Sequence, residues 1–188
     1  ELLPPWPLFS VFLIASLVLA VTPGPGVIYI VTRSVAQGRR TGLASVAGVA
    51  AGNFGNAVAA SLGLAALFAT SSIAFSIVKY AGAAYLIYLG IRAFLTKPHG
   101  MASAPDAVKP LWPIFRDGFV VALLNPKTAL FFTAFLPQFM TPALAGQTAL
   151  FHALTLSAVF VLIAAVTDAA YALLAGLIAP RLARHRAA

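Results

Sequence analysis

Two short proline-containing motifs interrupt otherwise apolar stretches of this sequence. The first motif, TPGPG, consists of Thr22, Pro23, Gly24, Pro25 and Gly26. The second motif, NPK, consists of Asn125, Pro126 and Lys127. Where a membrane helix is discontinuous, its exposed N–H groups and carbonyls can hold an anionic substrate group and coupling ions. We therefore predict that the residues of both motifs bind a small polar substrate.

Proline breaks a helix because it has no backbone N–H and its ring clashes with the preceding turn. The prolines of the two motifs would deprive three carbonyls of their usual donors, those of Leu19, Val21 and Ala122. In lipid these carbonyls need protein, water or ligand as partners. A plain kink is the alternative interpretation for a single proline. Two prolines and two glycines in succession favour a true break in the first motif.

Two charged residues lie inside apolar stretches, where an unpaired ion is costly. These are Lys127 and Asp168. An intramembrane acid is a candidate proton carrier, so we predict that Asp168 exchanges a proton during a working cycle. We also expect that Lys127 and Asp168 can meet. A structural ion pair, or side chains that reach toward the lipid headgroups, is the alternative.

Polar amides accompany small residues in one apolar stretch. Asn53 and Asn56 lie beside Gly48 and Gly52, which have the GxxxG spacing. Small residues let helices approach closely, and buried amides then form hydrogen bonds between helices. We expect the glycines to allow close helix packing. For the asparagines two roles are left open, hydrogen bonding between helices and contact with substrate. Both asparagines are therefore included among the predicted substrate-binding residues.

Several kinds of chemistry are excluded or disfavoured. The chain has no cysteine, which excludes disulfides, thiolate metal sites and thiol redox chemistry. The histidines lack metal-ligand spacing, and we expect His152, near a helix start, to have an interfacial role. Ser, His and acidic residues form no recognisable catalytic arrangement. The sequence thus predicts no enzyme, no cofactor and no metal site.

Composition places the chain in a membrane. Of its 188 residues, 61% are hydrophobic and 9% are charged, whereas a soluble domain has about 25% charged residues. Each of five apolar stretches is long enough to cross the bilayer core: 8–31, 42–69, 73–95, 114–138 and 147–178. The predicted fold is all-α, a polytopic transmembrane helical bundle of about five spans, with broken helices at both motifs.

Basic residues predict the orientation of these spans. They follow the first, third and fifth spans: Arg33, Arg39, Arg40, Lys97, Lys109, Arg116, Arg181, Arg184 and Arg186. The segments after the second and fourth spans, 70–72 and 139–146, contain no Lys or Arg. By the positive-inside rule the N-terminus lies outside and the C-terminus in the cytoplasm. The net charge of +8 therefore signals topology, and nucleic-acid binding is not expected.

One loop divides the predicted single membrane domain, residues 1–188. Residues 1–96 form a first three-helix half, and the proline-rich residues 97–113 form a cytoplasmic linker. Residues 114–188 form a second half with only two spans. We therefore describe the second half as incomplete.

Several motifs together resemble the LysE/RhtB family of amino-acid exporters. They are TPGPG, GRRTG (Gly38 to Gly42), KYAGAAYLIYLGI (Lys79 to Ile91), FRDGF (Phe115 to Phe119) and LLNPKTALFFTAFLPQF (Leu123 to Phe139). The resemblance implies two related three-helix halves in inverted orientation. Family members usually continue into a sixth span, whereas this sequence ends just past the fifth, so we expect a truncated or shortened form.

The resemblance implies export of amino acids or close derivatives across the bacterial inner membrane, driven by the proton gradient. The expected partners are an amino-acid substrate, protons and the lipid bilayer, and a homo-oligomer is left open. A non-transporting membrane scaffold or assembly subunit is the alternative hypothesis. A membrane oxidoreductase or metal exporter is disfavoured, because the chain has no cysteine and no histidine cluster.

Overall fold

The structure is a computed structural model that describes residues 3–70, 73, 77, 80, 110–140 and 146–186. Within these residues the chain is helical and contains no β-strand, so the predicted all-α fold is confirmed. The helices are α1 (Trp6–Val21), α2 (Pro25–Gln37), α3 (Arg39–Thr70), α4 (Leu111–Leu123), α5 (Pro126–Phe139) and α6 (Gly146–Arg186).

The described helices account for four of the five predicted spans, if each bent pair is counted as one span. Two helices are long and apolar enough to cross a membrane alone, α3 over Arg39–Gly63 and α6 over Gln147–Ile178. The pair α1 and α2 is bent by 50°, and the pair α4 and α5 by 48°. Both predicted helix breaks are thus confirmed.

Some predictions fall outside the described residues. Of the third predicted span, 73–95, only residues 73, 77 and 80 are described. The linker at 97–113 is described only from residue 110 onward. The orientation of the chain and its division at this linker therefore stay predictions.

Large apolar side chains cover much of the described surface. Trp6, Ile14, Leu162 and Val166 are all exposed, as are many others of their kind. A soluble protein rarely exposes contiguous apolar surface on this scale. An exterior of this composition fits contact with lipid, as expected for a membrane helical bundle.

The described residues form two compact units. Unit 1 comprises those in Glu1–Ser16, Phe54–His99 and Pro126–Phe160, and unit 2 those in Leu17–Asn53, Gly100–Asn125 and Val161–Ala188. Helices α1, α3 and α6 contribute residues to both units, so their portions are described separately.

In unit 2, α2 and α3 form an antiparallel helical hairpin around Gly38. Gly38 has φ +87°, a conformation that a residue with a side chain rarely adopts. Its N–H donates to the carbonyl of Ser34 at 2.9 Å, which closes the last turn of α2. The Thr41 hydroxyl donates to the carbonyl of Gly38 at 2.8 Å and so fixes the start of α3. The buried core nearby consists of Ile30, Val46, Val49, Ala122 and Ala172.

Glycines on α3 bring α4 close in unit 2. A Cβ atom at Gly48 would collide with the carbonyl oxygen of Phe115, and one at Gly52 with that of Phe119. From α4, a Cβ atom at Gly118 would lie 3.0 Å from the carbonyl oxygen of Ser45. The predicted packing role of the GxxxG glycines is therefore confirmed. Because Gly48 meets Phe115 and Gly52 meets Phe119, α3 and α4 run parallel.

Aromatic rings fill the interior of unit 1. The ring centroids of Phe131 and Phe160 lie 4.0 Å apart, and those of Phe12 and Phe139 lie 5.2 Å apart. These contacts join α1, α5 and α6. Helix α5 is irregular, with a π-helical segment Phe131–Phe135 and a 3-10 segment Leu136–Phe139.

Candidate substrate-binding site

The first break separates α1, which ends at Val21, from α2, which begins at Pro25. Gly24 caps α2 in an extended conformation, with φ −142° and ψ −175°. Pro25 suits the first helical position because its missing N–H would have no partner there. The first hydrogen bond of α2 runs from the Ile28 N–H to the Gly24 oxygen, at 3.0 Å. The cap has no side-chain hydrogen bond.

Both carbonyls that the first motif was predicted to orphan have partners. The Thr22 N–H donates to the Leu19 oxygen at 3.2 Å. The Tyr171 hydroxyl, from α6, donates to the Val21 oxygen at 2.7 Å. Thr22 also donates its hydroxyl to the Val18 oxygen at 2.7 Å and thereby caps α1. The break is thus supported by a tyrosine that sequence reasoning did not single out.

The second break lies at Leu124 and Asn125, between α4 and α5. The Asn125 N–H donates to the Ala122 oxygen at 3.1 Å and replaces the donor that Pro126 lacks. Asn125 itself is buried. It lies outside the helices, as expected for a residue that precedes proline.

Helix α3 connects the first break to Asn53 within unit 2. A Cβ atom at Gly26, in the first turn of α2, would lie 3.2 Å from Val49 Cγ1. Asn53 follows Val49 by four residues, so it lies one turn further along the same face of α3. Because α2 and α3 are antiparallel, this turn of α3 extends past the N-terminus of α2.

The same turn of α3 also touches the end of α4. A Cβ atom at Gly52 would lie 2.7 Å from the Ala122 Cβ and 3.0 Å from the Leu123 nitrogen. Leu123 is the last residue of α4, directly before the second break. Gly26 at the first break and Leu123 before the second break therefore both pack against α3 between Val49 and Gly52, next to Asn53. Of the predicted residues, Gly26, Asn53 and Asn125 thus lie near the same part of α3.

Asn53 is a buried polar residue on this turn of α3. It is 7% exposed, and its Oδ1 atom has no hydrogen-bond partner among the residues that the structure describes. Buried polar atoms almost always have a partner, so a free acceptor here is unusual. The N-terminus of α2 carries a partial positive charge from the helix dipole. Thr22–Gly26, Asn53 and Asn125 carry no charged side chain, and together they offer an acceptor and backbone N–H donors.

The remaining predicted site residues are Asp168, Pro126, Lys127 and Asn56. Asp168 is 5% exposed on α6 in unit 2, three residues before Tyr171. Lys127 and Pro126, in the first turn of α5, belong to unit 1, as does Asn56. The predicted meeting of Lys127 with Asp168 and the role of Asn56 stay predictions.

The expectation for His152 was wrong. This residue is 2% exposed in the interior of unit 1, whereas an interfacial side chain would be partly exposed. Its neighbour Phe151 is exposed, so the apolar residues around His152 in the sequence give no signal of its burial. Among the described residues, no three His, Asp or Glu side chains are grouped as metal ligands.

A family model described as "LysE type translocator" matches residues 17–188. A homoserine/homoserine lactone efflux protein of Salmonella typhimurium is 36% identical over 172 residues, which cover 89% of this chain and 80% of that protein. A protein of the same description from Salmonella typhi is 38% identical over 135 residues, covering 70% and 64%.

A leucine efflux protein of Salmonella choleraesuis is 32% identical over 130 residues, which cover 69% of this chain and 61% of that protein. No solved structure matches the chain significantly. The family model spans the TPGPG and NPK motifs, Asn53, which lies between them in the sequence, and all of α6. On this evidence the chain belongs to the LysE type translocator family.

Proposed function

We propose that this chain exports an amino acid or a close derivative from the cytoplasm across the bacterial inner membrane. Its family and the efflux proteins it resembles support this direction and this class of substrate. Its apolar helices and exposed apolar surface support a multi-pass membrane location.

The main observation behind this proposal is the position of Gly52 and Asn53 on α3, next to the helix breaks. The free Oδ1 of Asn53 accepts a hydrogen bond from the substrate's amino group. The N–H groups of Gly26 and Val27, which precede the first hydrogen bond of α2, donate to its carboxylate or carbonyl oxygen. Asn53 and the backbone of Gly26 and Val27 carry no net charge, so neither end of a zwitterionic substrate meets a like charge on these groups.

This mode of binding fits the chemistry of the relatives' substrates. Those proteins are named for homoserine, homoserine lactone and leucine. The three compounds differ in the rest of the molecule but share an amino group on the carbon that bears the carboxylate or lactone carbonyl. A site built from one acceptor and backbone N–H donors recognises that shared part. Selectivity for the side chain must then come from other residues.

We further propose that protons drive export through Asp168. This buried carboxylate lies on α6 three residues before Tyr171, whose hydroxyl holds the Val21 carbonyl at the first break. Residues three apart lie on the same side of a helix. A change in protonation at Asp168 alters its hydrogen bonds, and a shift of α6 then reaches the first break through Tyr171.

Export of labelled homoserine and leucine from proteoliposomes tests this function. The purified chain is expected to raise efflux of at least one amino acid over empty liposomes, and a pH gradient is expected to increase it. Failure to move any of the common amino acids or homoserine lactone would overturn the proposal.

Proline variants test whether the first break forms the site. Replacing Pro23 and Pro25 together with Ala restores two helical donors and is expected to lower efflux at least tenfold. Pro113→Ala is the matched control, because Pro113 lies in the first turn of α4, where a missing N–H leaves no carbonyl unpaired. Equal flux in the two variants would remove the broken-helix site from the proposal.

A further inference from the structure

His152 is a buried polar residue in unit 1 that is not part of the proposed site in unit 2. Its imidazole is 2% exposed, and within the described part of the chain neither Nδ1 nor Nε2 has a hydrogen-bond partner. Buried polar side chains usually have a partner, and an unpaired one destabilises the fold. A leucine at this position would avoid that penalty, so the histidine points to a functional requirement.

The described residues around His152 do not form hydrogen bonds with its imidazole nitrogens. On its own helix the buried residues within one turn of His152 are Ala149, Ala153 and Leu156, all of them apolar. Ser157 lies further along α6, and its hydroxyl is 3.5 Å from that of Ser61 on α3. Among the described residues of unit 1, the only side chain with a full charge is Lys127 on α5.

A second helix of unit 1, α1, also has a buried polar side chain without a described hydrogen-bond partner. Ser16 on α1 is fully buried, and no described residue forms a hydrogen bond with its hydroxyl. A serine within a helix commonly donates to the carbonyl four residues earlier, and Thr155 does so with Phe151 at 2.8 Å. Ser16 does not. Helices α1 and α6 thus each keep a free hydrogen-bonding group in the interior of unit 1.

We propose that His152 binds the polar end of the exported amino acid during its passage through unit 1. This inference rests on the proposed function. A neutral imidazole presents one N–H donor and one acceptor nitrogen. An amino acid carries the complementary pair, a carboxylate that accepts and an ammonium group that donates. His152 is therefore a second contact for the substrate, separate from Asn53 in unit 2.

The test compares two variants that separate binding from folding. His152→Leu fills the site with an apolar side chain and removes an unpaired polar group, so its melting temperature is expected to equal or exceed that of the unaltered chain. Its kcat/KM for amino-acid efflux is expected to fall at least tenfold. His152→Gln keeps a donor and an acceptor and is expected to retain efflux within about threefold of the unaltered chain.

Thr155→Val serves as the control, because the Thr155 hydroxyl is already satisfied by its own helix. It is expected to leave efflux unchanged. If His152→Leu does not fold, His152→Met is compared with the unaltered chain in the same two measurements. Normal kcat/KM in a folded Leu or Met variant would overturn the role of His152 alone. Absence of any amino-acid efflux by the unaltered chain would overturn the proposed function, and this inference with it.

Discussion

The hydroxyl of Tyr171 donates a hydrogen bond of 2.7 Å to the carbonyl oxygen of Val21, although the two residues are 150 positions apart. Pro25 leaves this carbonyl without its helical donor. Tyr171 therefore supplies from α6 what the α1–α2 break lacks. The hydrogen bond couples the position of α6 to the geometry of the first break.

Tyr171→Phe tests this coupling. Loss of one hydroxyl is expected to lower the free energy of unfolding by about 0.5–1.5 kcal/mol, since the carbonyl loses a hydrogen bond. Efflux is expected to fall more than this loss of stability alone would cause, because the α2 N-terminus is no longer held in place. Both quantities are measured in the same detergent and liposome preparations.

Tyr80→Phe provides the control for this substitution. Tyr80 is 70% exposed, so removal of its hydroxyl is expected to change neither unfolding nor efflux. If Tyr171→Phe behaves like Tyr80→Phe in both assays, the hydrogen bond to Val21 has no part in transport.

The glycines of α3 yield a prediction about stability. A Cβ atom at Gly48 meets the Phe115 backbone, and one at Gly52 meets Phe119 and Ala122. Backbone cannot move aside as a flexible side chain can, so Gly48→Ala and Gly52→Ala are each expected to destabilise the fold by about 1–3 kcal/mol.

The same helix offers a matched control in Gly63, where an added Cβ atom meets no atom of the described residues within 4 Å. Gly63→Ala is expected to be neutral or stabilising by up to about 1 kcal/mol, because Ala favours helix more than Gly does. Thermal unfolding in detergent measures all three variants. Similar melting temperatures for Gly48→Ala and Gly63→Ala would contradict the close α3–α4 contact.

The local effects of proline could be predicted from the sequence, but their long-range compensation could not. Proline chemistry alone indicates a break at Pro25 and an unpaired carbonyl at Val21. Nothing local indicates that Tyr171 pairs with that carbonyl, because this requires the packing of α6. In the same way, the GxxxG spacing of Gly48 and Gly52 predicts a close helix contact without identifying α4 as the partner.

Burial of single residues was the other limit of sequence reasoning. His152 lies six residues into α6 and was expected at an interface, yet it is buried. Distance from a helix end predicts depth in the membrane, whereas burial depends on which face meets another helix. The same distinction explains why Asn53 could be proposed for the site but its free Oδ1 could not be foreseen.

The orientation of the chain can be mapped with single cysteines, because the sequence contains none. Arg40→Cys, exposed at the start of α3, is expected to react with an impermeant maleimide only after the membrane is opened, as the positive-inside rule places it in the cytoplasm. Leu3→Cys is expected to react in intact cells. The cysteine-free chain gives the background, and the reverse pattern would refute the predicted orientation.

The role of Asp168 is tested by separating driven transport from exchange. Asp168→Asn keeps the shape of the side chain but cannot release a proton. If Asp168 couples export to protons, the variant is expected to lose at least 90% of the flux that a pH gradient adds, an estimate that corresponds to about 1.4 kcal/mol or more of lost coupling. It is expected to retain exchange of labelled for unlabelled amino acid at equal pH, because substrate binding at Asn53 and the α2 N-terminus is intact.

Asp168→Glu keeps an ionisable group and is expected to recover part of the gradient-driven flux. Loss of both activities in Asp168→Asn, with a normal melting temperature, would instead make Asp168 a substrate contact. Unchanged gradient-driven flux in Asp168→Asn would eliminate it as the proton carrier. In that case the buried carboxylate would hold α6 in place, and Tyr171 would transmit a movement that begins with substrate binding.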